Sequence, residues 1–342
     1  MSSQKALFLL EEKGSFAVDT RNIPSLDQGE VLVKIQAAAL NPVDWKIQKY
    51  GGLFKRYPAI TGTDIAGDVV EVSKGVENLQ VGDRVVFQGW FANDYSGFQQ
   101  FTKVSAEIVA KIPKSLSYSQ AASVPLGLAT AAIGLFWTST GAGLNPTVDQ
   151  NVQFPGQYAV VIGGSSSVGQ YAIQLLKFSG FSPIVTYASS RHADFLKSLG
   201  ATHVIDRQTI AINDLPTEVK KITEKPVRAV YDAISLPETQ EAGYATLAED
   251  GDLILVLEPK IKNPVENKKI HYVFGNVQPE ANRPFGRALY KNLGQFLEDG
   301  TIVPNRPEEL PNGLAGIVDG LERLQNDKVS GTKLIALPQE TP

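Results

Sequence analysis

The residues whose types and spacing most directly predict chemistry form a glycine–serine turn in the middle of the chain. The turn follows a short apolar run, Ala159 to Ile162, and precedes a segment in which apolar residues recur at helical spacing. A strand, a tight turn and a helix in this order place unpaired N–H groups and the positive end of the helix dipole where a pyrophosphate can bind. The residues predicted to bind it are Gly164, Ser165, Ser166, Ser167, Val168 and Gly169.

The glycine pattern departs from the usual dinucleotide-binding fingerprint at one position. The fingerprint has three glycines, whereas this turn reads Gly164-x-Ser166-x-x-Gly169, with serine in the second place. Taken alone, the turn is more typical of an ordinary strand-to-helix connection that binds nothing. The flanking sequence must therefore decide between the two interpretations.

Residues about 20 positions after the glycines predict which dinucleotide binds. An NAD site normally places Asp or Glu there to hold the ribose 2′-hydroxyl. Here the segment from Tyr187 to His192 contains no carboxylate, and the next acid is Asp194. Hydroxyl and guanidinium groups instead favour the 2′-phosphate of NADPH. Its predicted ligands are Ser189, Ser190, Arg191 and, after the third strand, Arg207. The competing interpretation makes the first of these arginines an ordinary solvated residue.

Two different regions must position these groups. The first ~125 residues read as strands punctuated by glycine and require few helices. A small-residue helical segment near Ser119, broken by Pro125, and a polar loop from Thr138 to Gln157 follow. Beyond them, strands and helices alternate as in a doubly wound parallel sheet, and the chain ends with two amphipathic helices and a strand.

Composition narrows the function classes. The 342 residues carry a formal net charge of −4 and no cysteine, which excludes disulfides, thiolate catalysis and cysteine-ligated metals. The three histidines, His192, His203 and His271, show no metal-ligand spacing. No basic stretch indicates nucleic acid, no apolar run reaches the ~20 residues of a membrane helix, and no secretory signal is visible. We therefore expect a cytoplasmic protein with a small-molecule substrate.

Several stretches in order along the chain resemble the medium-chain dehydrogenase/reductase superfamily over nearly the full length. They are Ala39-Leu-Asn-Pro-Val-Asp-Trp-Lys, Gly62-Thr-Asp-Ile-Ala-Gly-Asp-Val-Val-Glu-Val, Val81-Gly-Asp-Arg-Val, Gly97-Phe-Gln-Gln-Phe, Ala110-Lys-Ile-Pro and Ser330-Gly-Thr-Lys-Leu. Within the superfamily the chain is most similar to the zinc-free quinone-oxidoreductase and enoyl-reductase branch, particularly the fungal stand-alone enoyl reductases.

The resemblance implies an α/β fold in two domains. Residues 1–126 and 276–342 would form a β-rich GroES-like catalytic domain, and residues 127–275 a Rossmann-type doubly wound domain that binds NADPH, with the cleft at their boundary. It also implies that no metal site survives. Where zinc-bearing members carry their ligands, this chain has Asn41, Thr63 followed by Asp64, and a position near Leu126.

The expected chemistry is conjugate reduction. Because the sequence lacks these metal ligands, hydride addition to the β-carbon of an enone, with a hydrogen-bond donor stabilising the enolate, is easier to support than direct carbonyl reduction. The resemblance assigns the catalytic roles to Lys46, Tyr50 and Thr130, and nicotinamide or cofactor contacts to Val256, Leu257, Phe274, Gly275 and Lys333. Lys46, Tyr50 and Lys333 could instead be ordinary surface residues. Asn41 and Asp44 are interpreted as structural supports that hydrogen-bond neighbouring backbone.

Three functions remain open on the sequence alone. The leading hypothesis is an NADPH-dependent, zinc-independent reductase of enones, enals or enoyl thioesters. The alternatives are a quinone or carbonyl reductase, and an NADPH-binding sensor or structural protein with little turnover. The protein could be a monomer or a homodimer, and a carrier-protein partner is possible but unsupported.

Overall fold

A computed structural model describes residues 3–342. The strands are β1 (Ser3–Leu9), β2 (Phe16–Asn22), β3 (Glu30–Ala39), β4 (Ala59–Ile60), β5 (Asp64–Val72), β6 (Arg84–Gln88), β7 (Phe101–Ser105), β8 (Val109–Lys111), β9 (Tyr158–Ile162), β10 (Ile184–Ala188), β11 (His203–Asp206), β12 (Val227–Asp232), β13 (Asp252–Leu255), β14 (Lys269–Tyr272), β15 (Pro307–Glu309) and β16 (Lys333–Ala336). The helices are α1 (Pro42–Tyr50), α2 (Tyr118–Ala122), α3 (Pro125–Phe136), α4 (Ser167–Phe178), α5 (Ala193–Leu199), α6 (Leu215–Ile222), α7 (Pro237–Thr246), α8 (Arg283–Glu298) and α9 (Ile317–Gln325).

These elements form two units. The first contains the chain up to Leu126 together with Leu289–Gly300 and Pro304–Pro342, and the second contains Gly127–Ala288 and Thr301–Val303. The first predicted boundary, between residues 126 and 127, coincides with the observed one. Residues 276–288 lie in the second unit rather than the first, because the Trp137 indole donates to the carbonyl of Ala281 and its ring lies 5.5 Å from that of Phe285.

The first unit is built on a seven-stranded sheet. Its strand order is β15-β16-β3-β5-β6-β8, with β7 also pairing with β3. All of these pairs are antiparallel except β15 with β16. The last strand of the chain therefore lies beside the third, as the family resemblance implied, and the smaller sheet β2-β1-β4 completes the unit. This is the predicted GroES-like part.

The second unit is a six-stranded, wholly parallel sheet in the order β11-β10-β9-β12-β13-β14. Four of the five residues of β9 are buried, which explains its continuous apolar sequence. The strand order reverses at β9, so the glycine–serine turn follows the strand at the switch point, where α/β sheets bind their ligands. The predicted doubly wound Rossmann-type fold is confirmed.

Some elements departed from the sequence expectations. Helix α1 was not predicted individually, although its presence agrees with the expectation of few helices in the first ~125 residues; Asn41 precedes it, Pro42 opens it and Asp44 lies in its first turn. Strand β14 and helix α7 were not predicted, because neither shows a clear apolar period. Helix α6 was also not predicted, although its apolar residues Leu215, Val219 and Ile222 recur at helical spacing. The stretch Tyr118–Phe136 is long and apolar enough for a membrane span by composition, contrary to the sequence expectation, and 89% of its apolar window is buried in the fold.

Candidate functional site

A buried carboxylate is the centre of the polar network in the first unit. Asp64, the first residue of β5, is fully buried and its Oδ2 accepts from the Asn41 side-chain amide at 2.8 Å. The Lys333 ammonium lies 3.0 Å from the same oxygen, and the backbone N–H of Leu126 donates to Oδ1 at 2.6 Å. Lys333 also donates to the Asn41 side-chain oxygen at 2.5 Å. We call Asn41, Asp64, Leu126 and Lys333 the Asp64 hub.

Asn41, Asp64 and Leu126 of the Asp64 hub lie at or beside the positions that the family resemblance matched to zinc ligands. At these positions three hydrogen-bond donors, from Asn41, Leu126 and Lys333, surround the Asp64 carboxylate, whereas a zinc site would have three ligands around a metal ion. Thr63, at the position of the ligand histidine, is fully buried, and its hydroxyl has no hydrogen-bond partner within residues 3–342. Across that same range, no group of three or more histidine, cysteine or acidic side chains could hold a metal ion.

Asp44 supports the backbone around the hub. One carboxylate oxygen accepts from the N–H of Asn41 at 2.8 Å and the other from the N–H of Gly62 at 3.0 Å. Complete burial raises the pKa of Asp44 to about 7, and these two hydrogen bonds counteract part of that rise. The predicted supporting role is confirmed for Asp44. Asn41 differs, because its side chain bonds the side chains of Asp64 and Lys333 rather than backbone.

Helix α1 carries two of the predicted catalytic residues. Lys46 is half-buried, its Nζ lies 5.7 Å from the centre of the Trp45 ring, and burial lowers its pKa. Tyr50 ends the helix with 60% of its surface exposed, and its ring lies 6.1 Å from that of Trp45. The four-residue spacing places Lys46 and Tyr50 on one helix face. Lys46 and Tyr50 therefore both lie beside Trp45, and their catalytic roles stay predictions.

In the second unit, the turn after β9 is shaped by contacts that leave no room for side chains. A Cβ on Gly164 would lie 2.0 Å from the Thr186 hydroxyl, and one on Gly169 would lie 2.2 Å from the carbonyl oxygen of Gly163. Ser166 precedes α4 and its hydroxyl accepts from the N–H of Gly169 at 3.0 Å. The serine that replaced the second glycine thus caps the helix. The turn retains the close helix–strand packing of a pyrophosphate site.

The loop after β10 contains the predicted ligands of a 2′-phosphate. Ser189 is only 2% exposed, and its hydroxyl has no hydrogen-bond partner in residues 3–342. Buried hydroxyls are normally bonded, so this group fits a site that binds a polar ligand. Ser190, Arg191 and Arg207 are exposed. The loop and the turn together fit a dinucleotide bound along this sheet edge.

Sequence reasoning missed an acid in this loop's surroundings. Asp206, the last residue of β11, pairs in register with Ala188, the last residue of β10. Its Oδ1 accepts from the backbone N–H of Ser190 at 3.2 Å. The signal was available in the sequence, because the ends of adjacent parallel strands meet at one sheet edge. The residues immediately after β10 contain no acid before Asp194, and Asp206 reaches this loop only from the neighbouring strand.

Thr130 and the segment after β14 come together within the second unit. A Cβ on Gly275 would lie 1.9 Å from the Thr130 hydroxyl oxygen, so only glycine fits beside that side chain. Thr130 is 6% exposed, and its carbonyl accepts from the Tyr231 hydroxyl at 2.9 Å. Phe274 is 45% exposed. Two residues assigned to the nicotinamide region from opposite ends of this unit are therefore in contact.

Val256, Leu257 and Lys333, the other residues predicted to contact the cofactor, differ in burial and in hydrogen bonding. The N–H of Val256 donates to the Ser235 hydroxyl at 2.9 Å, so this backbone donor is already used, and Leu257 is half-buried beside it. Ser235 is in turn held by Asp232, whose carboxylate accepts from the Ser235 N–H at 2.8 Å. Lys333 is 4% exposed in the Asp64 hub, which rules out the interpretation of a simple surface lysine.

Comparisons with known proteins agree with this architecture. Residues 27–114 match the family model described as the alcohol dehydrogenase GroES-like domain, and residues 167–277 match the one described as zinc-binding dehydrogenase. The enoyl reductase component of lovastatin nonaketide synthase from Aspergillus terreus is 31% identical over 338 residues, which cover 91% of this chain and 90% of that protein. The chain belongs to the medium-chain dehydrogenase/reductase superfamily.

Solved structures of this superfamily share the fold across the whole chain. A quinone oxidoreductase from Pseudomonas syringae pv. Tomato DC3000 superposes with a TM-score of 0.76 at 20% identity, covering 97% of this chain and 99% of that one. A mycobacterial protein complexed with NADPH gives a TM-score of 0.76 at 22% identity, covering 98% and 100%. These structures show the shared fold. The family matches and the enoyl-reductase relative show that the protein is an oxidoreductase of the medium-chain superfamily, and its Rossmann-type unit indicates a nicotinamide cofactor.

Proposed function

We propose that the protein is an NADPH-dependent reductase that adds hydride to an activated carbon–carbon double bond, in an enone, enal or enoyl thioester, without a metal ion. The observation that carries this proposal is the arrangement of α1 in the first unit. Its N-terminus is anchored by the Asp64 hub, and its body presents Lys46, a cation whose pKa burial lowers. A curated relative at 31% identity is named an enoyl reductase component, which supports the same reaction.

The roles follow from where charge develops. Bound NADPH would supply the hydride to the β-carbon of the substrate, and negative charge would then collect on the carbonyl oxygen. Lys46 would stabilise that oxygen by charge and hydrogen bonding, and Tyr50 would protonate the α-carbon or assist as a second donor. A lysine with a lowered pKa can also give up a proton more readily, so Lys46 could serve as the acid itself.

The choice of NADPH rests on the loop after β10. The buried hydroxyl of Ser189 and the exposed guanidinium groups of Arg191 and Arg207 are the kind of groups that bind a phosphate. The turn after β9 and the N-terminus of α4 would hold the pyrophosphate.

The test incubates the purified protein with NADPH and a panel of enals, enones, quinones and simple ketones, and measures turnover as the rate of NADPH oxidation. We expect enals or enones to be reduced, with Lys46→Ala and Tyr50→Phe both slower. Lys49→Ala is the matched control, because Lys49 lies on the same helix and its Nζ is 5.6 Å from the same Trp45 ring.

Three results would contradict the proposal. If Lys46→Ala and Tyr50→Phe both keep wild-type turnover, the assigned chemistry fails. Preferential turnover of quinones or ketones would favour the quinone or carbonyl reductase. Tight NADPH binding without oxidation of any substrate would favour a sensor or structural protein.

A further inference from the structure

The carboxylate of Asp206 lies inside the group of residues predicted to bind the 2′-phosphate. Its Oδ1 accepts from the N–H of Ser190 at 3.2 Å and from the N–H of Gln208 at 3.1 Å. The Ser190 side chain and these two backbone donors lower the pKa of the Asp206 carboxyl below its ordinary value. Asp206 is therefore ionised at neutral pH, and its carboxylate occupies the backbone N–H of Ser190.

Two arginines, Arg191 and Arg207, lie near this carboxylate in the sequence or the fold. Arg207 follows Asp206 directly, and its side chain is exposed. The Arg191 Nε donates to the His192 ring at 3.1 Å, also at the exposed surface. Within residues 3–342 neither arginine lies at ion-pair distance from Asp206, although the charge of Arg207 contributes to the lowered pKa of this carboxyl. A phosphate that reaches Ser190 must therefore approach an ionised carboxylate or displace it.

We propose that Asp206 is a specificity-determining residue that limits the preference of this site for a 2′-phosphorylated nucleotide. Its carboxylate repels the phosphate and competes with it for Ser190, whereas a ribose 2′-hydroxyl can donate to the same carboxylate. This inference rests on the proposed NADPH site. Under this inference the protein prefers NADPH because of Ser189, Arg191 and Arg207. Its preference for NADPH over NADH is smaller than it would be without the charge of Asp206.

The test compares two small nucleotides that differ only at this position. Dissociation constants of 2′,5′-ADP and of AMP are measured by calorimetry for the wild type and for Asp206→Asn. Asparagine keeps the shape and one acceptor oxygen but removes the charge. We expect 2′,5′-ADP to bind Asp206→Asn about two- to five-fold more tightly than it binds the wild type, which is the size of an exposed charge interaction. The dissociation constant of AMP should differ by less than about two-fold between the two proteins.

Two further variants separate charge from loop position. Asp194→Asn is the matched control, since Asp194 is an exposed acid in the first turn of α5 and should leave both constants unchanged. Asp206→Ala removes the charge and the hydrogen bonds to Ser190 together. If 2′,5′-ADP binds no more tightly to Asp206→Asn and more weakly to Asp206→Ala, Asp206 only positions the loop and the inference is overturned.

Failure of the inference and failure of the NADPH proposal give different results. A wild type that prefers 2′,5′-ADP, with no gain in Asp206→Asn, overturns only the inference. A wild type without that preference overturns the NADPH proposal. In that case a preference that emerges in Asp206→Asn supports the inference, and its absence there overturns both.

Discussion

Lys333→Met should be among the most destabilising substitutions in the first unit. The Lys333 ammonium lies 3.0 Å from Asp64, and the two side chains are 5% and 0% exposed. Removing one partner of a buried ion pair leaves an uncompensated charge, which costs about 3–5 kcal/mol. A cost of that size is a large part of the ~5–15 kcal/mol by which folded domains are stable.

The double variant tests whether the cost comes from the unpaired charge. Asp64→Asn should also destabilise by several kcal/mol, since Asn41 and Leu126 then donate to a weaker acceptor. Asp64→Asn with Lys333→Met removes both charges, so its cost should be smaller than the sum of the single costs by ~1 kcal/mol or more. Full additivity would contradict the ion-pair account.

Urea unfolding at pH 7 supplies the measurement. Trp45 and Trp90 both lie in the first unit, so tryptophan fluorescence reports largely on it. Lys111→Met is the matched control, because its Nζ lies 2.9 Å from Asp83 but the lysine side chain is 56% exposed. Such surface pairs contribute about 0–1 kcal/mol. If Lys333→Met costs no more than Lys111→Met, the Asp64 hub does not stabilise this unit as the geometry indicates.

Three further predictions concern buried groups. Burial raises the pKa of Asp44 from 3.8 to about 7. An acid whose pKa is raised in the folded state stabilises the fold most at pH values below its unfolded pKa, and this contribution is lost as the pH rises. The free energy of unfolding of the wild type minus that of Asp44→Asn should therefore fall between pH 4 and 7.5, and a difference that does not change with pH would refute this prediction. Gly275→Ala should lower both thermal stability and turnover, because its Cβ would lie 1.9 Å from the Thr130 hydroxyl, and Thr130→Ala should partly rescue it; a wild-type melting temperature would exclude the clash. Ser189→Ala should leave thermal stability unchanged or higher, since the hydroxyl is buried without a partner within residues 3–342, yet weaken 2′,5′-ADP binding in calorimetry; unchanged binding would remove Ser189 from the site.

The parts of the fold with strong local patterns were predictable from the sequence. The apolar run of β9, the glycine–serine turn and the helical spacing after Val168 specify one strand–turn–helix unit, and the structure contains it. The small-residue helical segment near Ser119 is present as α2, and Ser117 caps it by accepting from the N–H of Gln120 at 3.1 Å. Pro125 separates α2 from α3 as expected.

The parts that depend on distant pairing were not predictable in the same way. Lys333 and Asn41 are 292 positions apart, and only the pairing of β16 with β3 brings their side chains together. No local pattern distinguishes such a lysine from a solvated one. The contact of Asp206 with Ser190 was not predicted for a related reason. Asp206 ends β11, whereas Ser190 lies in the loop after β10, and only the pairing of the two strands brings them together. Burial and register, rather than residue type, determine what both side chains do.

The most direct test of the proposed reaction is the position at which hydride enters the product. The purified protein is incubated with NADPH deuterated at the transferable position and a 2-alkenal, and the product is analysed by mass spectrometry and NMR. Conjugate reduction predicts a saturated aldehyde with deuterium on the β-carbon. An allylic alcohol with deuterium on the former carbonyl carbon would contradict the proposal and identify carbonyl reduction instead.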